Sequence, residues 1–283
     1  MSPGNSNNIK SKNLNNRIDE KFVKEKGVYK KNLIIYITAG YPNLYTTEKL
    51  IVELDKAGID IIELGIPFSD PVADGPVIQQ ASQTALLNKV NIDKIFELTG
   101  KVRGKIRAAM VLMGYYNPIL QYGIEKFLKS CKNQGIDGII VPDLIPEESR
   151  EILKLALKYG VKVIFLLAPT SDNSRIKLVA SKSTGFIYCV SVAGITGERK
   201  QLPDLKKYIG NIRKYTKKPV ALGFGVSNAG MAKKIFKLAD AVIVGSAVIK
   251  KISDNIGNKR LLSAVAGFAA GLKKGMPHDR RNR

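Results

Sequence analysis

The chain has 283 residues, 45% hydrophobic and 25% charged, which supplies a full core and excludes wholesale disorder. No apolar run reaches the ~18 residues of a membrane helix, and the first thirty residues lack the hydrophobic stretch of a secretory signal, so a protein that is neither membrane-bound nor secreted is expected. Two cysteines, Cys131 and Cys189, and one histidine, His278, exclude a disulfide framework, a zinc spacing and a multi-histidine metal site.

The net charge is +22. Residues 1–32 hold eight Lys/Arg against three Asp/Glu, and residues 250–283 hold nine against two, so much of the excess sits at the ends. Elsewhere the lysines stand mostly singly on predicted helix faces, without the interleaved aromatics of a nucleic-acid-binding stripe. No specific nucleic-acid partner is expected.

Residues 1–15 are rich in Asn, Ser and Lys and are expected to form a disordered basic tail. Residues 16–30 are expected to form a short helix closing one end of the fold. Apolar runs follow at 33–39, 59–64, 106–113, 136–141, 161–168, 185–190, 219–223 and 240–244. They are rich in Ile, Val and Leu and lack polar alternation, the pattern of strands buried on both faces and therefore parallel. Amphipathic helices fill the intervals. Leu50, Ile51, Leu54 and Ala57 mark one apolar face, stopped by Gly58; Phe127, Leu128 and Cys131 mark another, stopped by Gly135. Pro146 opens a third, with Ile152, Leu153, Ala156 and Tyr159 inward and Gly160 as its stop. Residues 261–272 give a last apolar helix, and 273–283 a second basic tail.

Eight strand–helix units in succession predict an α/β fold: a single-domain (β/α)8 TIM barrel of parallel strands over residues 16–272. An open doubly wound sheet is the alternative. The residues after its first strand would carry a dinucleotide fingerprint, and here they read Ile37-Thr38-Ala39-Gly40-Tyr41-Pro42.

In such a barrel the chemistry sits at the C-terminal strand ends. Glu63 lies inside the second apolar run, where a carboxylate is costly unless partnered. Two roles are open to it: a catalytic acid/base, or a strand-end carboxylate bonded to loop amides. Asp74 follows in a proline-stiffened loop and is either a second catalytic carboxylate or the cap of a helix starting near Val77. Glycines and small residues cluster after strands six to eight, around Gly197, Gly225, Gly245 and Ser246. There they either cradle a phosphate on backbone amides or make tight turns. No predicted strand end carries a Schiff-base lysine or a set of metal ligands.

The run ELGIPFSDPVADGP at 63–76 resembles the signature of the tryptophan synthase alpha chain family. YITAGYP at 36–42, MGYYNPIL at 113–120, VPDLIPEES at 141–149, VSVAGITGE at 190–198, GFGVS at 223–227 and VGSAV at 244–248 stand in that family's order, over about residues 33–250. The resemblance implies cleavage of indole-3-glycerol phosphate to indole and glyceraldehyde 3-phosphate, with no metal or cofactor in this chain. It implies that Glu63 and Asp74 are catalytic, that Tyr36, Met113, Tyr115 and Leu166 line an indole pocket, and that Tyr188 touches substrate. Gly197, Phe224, Gly225, Gly245 and Ser246 are then the phosphate contacts, and Thr196 lies in a lid after strand six. The family pairs with a pyridoxal-phosphate beta chain, two alpha with two beta chains, and Pro67, Asp70, Asn117 and Asp143 match the contacting edge. The implied compartment is bacterial cytoplasm or plastid stroma. A free-standing lyase, another phosphosugar barrel enzyme and a catalytically silent activator are the competing readings.

Overall fold

Eight parallel strands close into a ring in a computed structural model of the chain, which describes residues 16–190, 204–223 and 225–276. The strands are β1 (Asn32–Thr38), β2 (Ile61–Gly65), β3 (Ala109–Met113), β4 (Gly138–Ile140), β5 (Lys162–Ile164 with Leu166–Leu167), β6 (Ile187–Val190), β7 (Val220–Gly223) and β8 (Ala241–Val244). Neighbours run β5-β4-β3-β2-β1-β8-β7-β6-β5, so the barrel is closed and the open sheet is excluded. β5 changes ladders at Phe165: its first half pairs with β4 and its second with β6. At the switch, the Phe165 N–H donates to Ser183 Oγ at 3.3 Å instead of to a strand.

All eight predicted runs contain strands, several shorter than expected because side chains capture the lead-in backbone. Before β3, Asp55 accepts the N–H groups of Arg107 and Ala108 at 2.8 and 2.7 Å. Arg103 donates to the carbonyls of Ile106 and Ala108 at 2.9 and 2.8 Å. The predicted third helix also starts late. Pro146–Glu148 is a single 3₁₀ turn, and the helix proper is Arg150–Tyr159, with Ile152 and Ala156 buried.

Side-chain parity along each strand separates two cores. One lies between the ring and its helices. The other fills the ring and includes Ile34, Ile61, Ala109, Val111, Ile140, Ile164, Phe186, Ala221 and Ile243. Stepping two residues up from these positions brings Tyr36, Glu63, Met113, Leu166 and Tyr188 to the inward face near the C-terminal mouth.

The expected helix over 16–30 is only Arg17–Lys21. Lys26 and Gly27 both have positive φ, 50° and 82°, and form a two-residue turn joining Lys24–Glu25 to Val28–Tyr29 as a small hairpin. The helix still closes the barrel bottom. Ile18 is buried beneath Gly138, and Asn16 Nδ2 donates to the carbonyls of Asp137 and Gly160 at 2.7 and 3.0 Å.

The same two-bond clasp recurs four times at this bottom end. The N–H groups of Asp60, Asp137, Thr184 and Asp240 donate to the carbonyls of Leu33, Met110, Val163 and Val220. The N–H groups of those four partners donate back to the side-chain oxygens of Asp60, Asp137, Thr184 and Asp240, at 2.7 to 2.9 Å. Each clasp joins an odd strand to the even strand that follows it. The three aspartates also meet cations: Lys273 at Asp60, Arg17 and Arg103 at Asp137, and Lys31 and Arg213 at Asp240. Lys273 ends the last helix, Leu261–Lys273, so the folded body runs past the expected start of the tail. The tail expectations for residues 1–15 and 277–283, His278 among them, lie outside the described residues.

Candidate active site

Glu63 stands in the middle of β2, with Tyr36 of β1 and Val111 of β3 in register on either side. Its side chain is fully buried, and neither carboxylate oxygen has a hydrogen-bond partner among the described residues. No loop amide among them meets it, so nothing in them supports the strand-end role. Burial pushes its pKa up to about 8, helped by the negative charge of Asp74. A group poised there can give and take protons near neutral pH.

Asp74 reaches the same place from the loop after β2. Its N–H donates to the Pro71 carbonyl at 2.9 Å, closing a turn over the mouth. It does not cap the following helix: Gly75 is the N-cap of Pro76–Leu87, with no side-chain cap bond. Proline favours the first helical position, which moves the cap to Gly75 and leaves the carboxylate free for another partner. That partner is Tyr115, whose Oη donates to Asp74 Oδ2 at 3.1 Å and accepts the Ala73 N–H at 2.9 Å. Phe68 stacks on the Tyr115 ring at 5.2 Å between centroids. Burial raises the Asp74 pKa to about 6, and the Tyr115 hydrogen bond opposes the rise.

Tyr36 and Tyr188 complete the cluster. Burial raises both phenols well above their usual range, with the charges of Asp74 and Glu63 acting in the same direction, so both stay neutral. Tyr36 Oη lies 3.4 Å from Thr38 Oγ1, over Gly65. A Cβ at Gly65 would stand 2.1 Å from that oxygen, so only glycine lets the ring sit there.

A cavity of about 560 Å³ opens beside this cluster. Leu166, Tyr188, Val190, Ile78 and Ile243 give it apolar walls, and Gly223, Gly225, Ser227, Gly245, Ser246 and Ala247 line its other side. The helix Ser246–Ser253 begins there with no side-chain cap; the Val248 N–H turns back to the Gly245 carbonyl at 2.8 Å, and the amides of Ser246 and Ala247, which line the cavity, have no partner among the described residues. Of the expected site residues, Leu166, Tyr188, Gly225, Gly245 and Ser246 line the cavity directly. Tyr36 and Met113 lie at neighbouring inward strand positions, and Tyr115 holds Asp74 rather than forming a cavity wall. Thr196, Gly197 and Phe224 lie outside the described residues. Ser227 and Ala247, within the GFGVS and VGSAV motifs, also line it; the sequence reading missed Lys250, although it follows Ser246 by four residues.

Along the expected partner edge, Asp70, Asn117 and Asp143 are exposed and Pro67 is buried. Both Asp143 carboxylate oxygens accept the Tyr116 N–H, at 2.9 and 3.1 Å, which ties the loop after β4 to the start of the helix Tyr116–Tyr122. Among the described residues no group of three or more His, Cys, Asp or Glu side chains is placed to hold a metal ion. No helix of them is long and apolar enough to cross a membrane.

The family model of the tryptophan synthase alpha chain matches residues 22–276. The tryptophan synthase alpha chain of Thermoanaerobacter sp. (strain X514) is 47% identical over 260 residues, covering 92% of this chain and 99% of its own. That of Clostridium kluyveri (strain ATCC 8527) is 45% identical over 262 residues, with the same coverage. The crystal structure of tryptophan synthase subunit alpha from Legionella pneumophila str. Paris superposes with a TM-score of 0.85 at 36% identity, over 92% of this chain and 98% of that one. Sequence and fold agree, and the chain belongs to the tryptophan synthase alpha chain family.

Proposed function

We propose that Glu63 moves the protons, and Asp74 steadies the ring, in the cleavage of indole-3-glycerol phosphate to indole and glyceraldehyde 3-phosphate. That cleavage is the alpha-chain reaction of tryptophan synthase, so the chain is a carbon–carbon lyase of tryptophan biosynthesis. The observation carrying the residue assignment is the Glu63 carboxyl, fully buried beside Asp74 and Tyr188 and without a hydrogen-bond partner among the described residues.

The reaction is a retro-aldol. Indole C3 gains a proton, which places positive charge on the ring. The bond from C3 to the glycerol carbon then breaks, and the neighbouring hydroxyl loses its proton as that carbon becomes an aldehyde. Protonated Glu63 donates to C3, and its carboxylate then accepts the hydroxyl proton, so the group ends as it began. Ionised Asp74 accepts a hydrogen bond from the indole N–H and stabilises the ring cation. Leu166, Tyr188 and Val190 supply an apolar wall for the indole. The amides around Gly225, Gly245 and Ser246 hold the phosphate end and align the reacting carbons; Gly197 and Phe224 are the further proposed phosphate contacts and Thr196 a proposed substrate contact, all three outside the described residues. Glu63→Gln should lower kcat by about 10²–10⁴, or ~3–5 kcal/mol of barrier, with substrate still bound. A variant keeping most of the cleavage rate overturns the assignment.

No metal or organic cofactor is assigned to this chain. Pyridoxal phosphate belongs to the beta chain, which condenses indole with serine, and two alpha with two beta chains is the proposed assembly. The edge carrying Pro67, Asp70, Asn117 and Asp143 is the proposed contact. Cleavage by the pure chain should be slow and should rise on adding a beta chain; no association and no activation would refute the pairing. The reducing compartment suggested by two unpaired, buried cysteines is bacterial cytoplasm or plastid stroma.

A further inference from the structure

Lys250 is the only charged side chain lining the cavity among the described residues. It stands four residues after Ser246 on the helix Ser246–Ser253, hence on the same face, one turn above the amides that open into the cavity. The residue is exposed, and among the described residues it pairs with no carboxylate. Its neighbour Lys251 points elsewhere and does not line the cavity. The rest of this wall offers only backbone dipoles and the hydroxyls of Ser227 and Ser246 to an anion.

We propose that Lys250 is a substrate-binding residue whose ammonium pairs with the phosphate of the substrate, adding a full positive charge to a cup otherwise made of amides and hydroxyls. This rests on the reading of the cavity as the phosphate site. The flexible four-carbon stem lets the ammonium follow the phosphate from the solvent side while the amides fix it from below. The pair remains partly hydrated, so its contribution is that of a charge-assisted hydrogen bond reduced by solvent screening. It acts equally on bound substrate and transition state, because the phosphate lies away from the bond that breaks. The signature is therefore a change in KM larger than any change in kcat.

The test uses the full chain and its Lys250→Met, Lys250→Gln, Lys250→Arg and Lys251→Met variants. It measures kcat and KM for indole-3-glycerol phosphate and the inhibition constant of sn-glycerol 3-phosphate at two ionic strengths. Lys250→Met and Lys250→Gln should raise both constants by roughly fivefold to thirtyfold, and should blunt their rise with salt. Lys250→Arg should recover most of the loss, and Lys251→Met should match the parent. If Lys250→Met and Lys250→Gln bind sn-glycerol 3-phosphate within twofold of the parent, Lys250 has no such role. If sn-glycerol 3-phosphate does not compete with substrate in the parent chain, the phosphate reading of the cavity fails first, and this inference with it.

Discussion

The hydroxyl of Tyr115 donates to Asp74 at 3.1 Å while accepting the N–H of Ala73, so one phenol holds both the carboxylate and the loop that carries it. The resemblance places Tyr115 in an indole pocket; its contacts make it a positioning residue for Asp74. Tyr115→Phe keeps the packing against Phe68 and removes the donor. kcat/KM should fall by about threefold to tenfold, the worth of one hydrogen bond. The acidic limb of the pH–rate profile should move to higher pH, because the lost bond favoured the ionised carboxylate. A variant with lower thermal stability and an unmoved limb would leave Tyr115 a packing role only.

The two carboxyls set a window for activity. Asp74, raised to about 6, must be ionised to accept the indole N–H, and Glu63, raised to about 8, must hold a proton for C3. The pair titrates as a unit, and kcat/KM should be bell-shaped with limbs near those values. Asp74→Asn should remove the acidic limb at greatly reduced rate. A profile with no loss above about pH 8 would contradict Glu63 as the proton donor.

Glu63 also links stability to pH. Its folded pKa lies above the ~4.3 of an unfolded glutamate, so the folded state binds the extra proton. Stability is then unaffected below pH 4, falls as pH rises from about 4.5 to about 8, and levels off above. Glu63→Gln removes this dependence. Urea unfolding should find the variant more stable than the parent by roughly 3–5 kcal/mol at pH 9 and equal to it near pH 4. An equal difference at both pH values would mean that the carboxyl is not held protonated by burial.

At the other end of the barrel the expectation reverses. Asp137 is buried, accepts the Met110 N–H at 2.8 Å and faces Arg17 and Arg103. Asp137→Ala strands a buried amide and a half-buried guanidinium and should cost about 2–4 kcal/mol of unfolding free energy. The kcat of the folded fraction should change by less than about twofold, because the mouth lies at the opposite strand ends. A large loss of kcat without loss of stability would couple the two ends.

Much of this was legible from residue order. Strands buried on both faces need unbroken Ile/Val/Leu runs, so the ring could be counted from the chain, and parity within β2 already turns Glu63 the same way as Ile61. The cap of Pro76–Leu87 was also readable, since proline at the first helical position points to Gly75. The Asp74–Tyr115 bond was not, because it joins residues 41 apart through the path of a loop. The strand starts were overextended because Asp55 and Arg103 compete for the backbone before β3, and such competition has no local signature. The recurring joins at 56–60 and 133–137 were visible as helix ends, but the role of their aspartates emerges only when two strands lie side by side.

The four reciprocal clasps at the barrel bottom divide the ring into four two-stranded staves, each fastened within itself by a side-chain bond as well as a backbone one, and joined to the next at this end by backbone bonds alone, such as Ala109 N–H to the Asp60 carbonyl. New termini placed between staves, before β3, β5 or β7, sever none of these fastenings, whereas termini placed between β1 and β2 turn a covalently tethered one into a contact between chain ends. Circular permutants opened at the first kind of joint should therefore assemble more readily than those opened at the second.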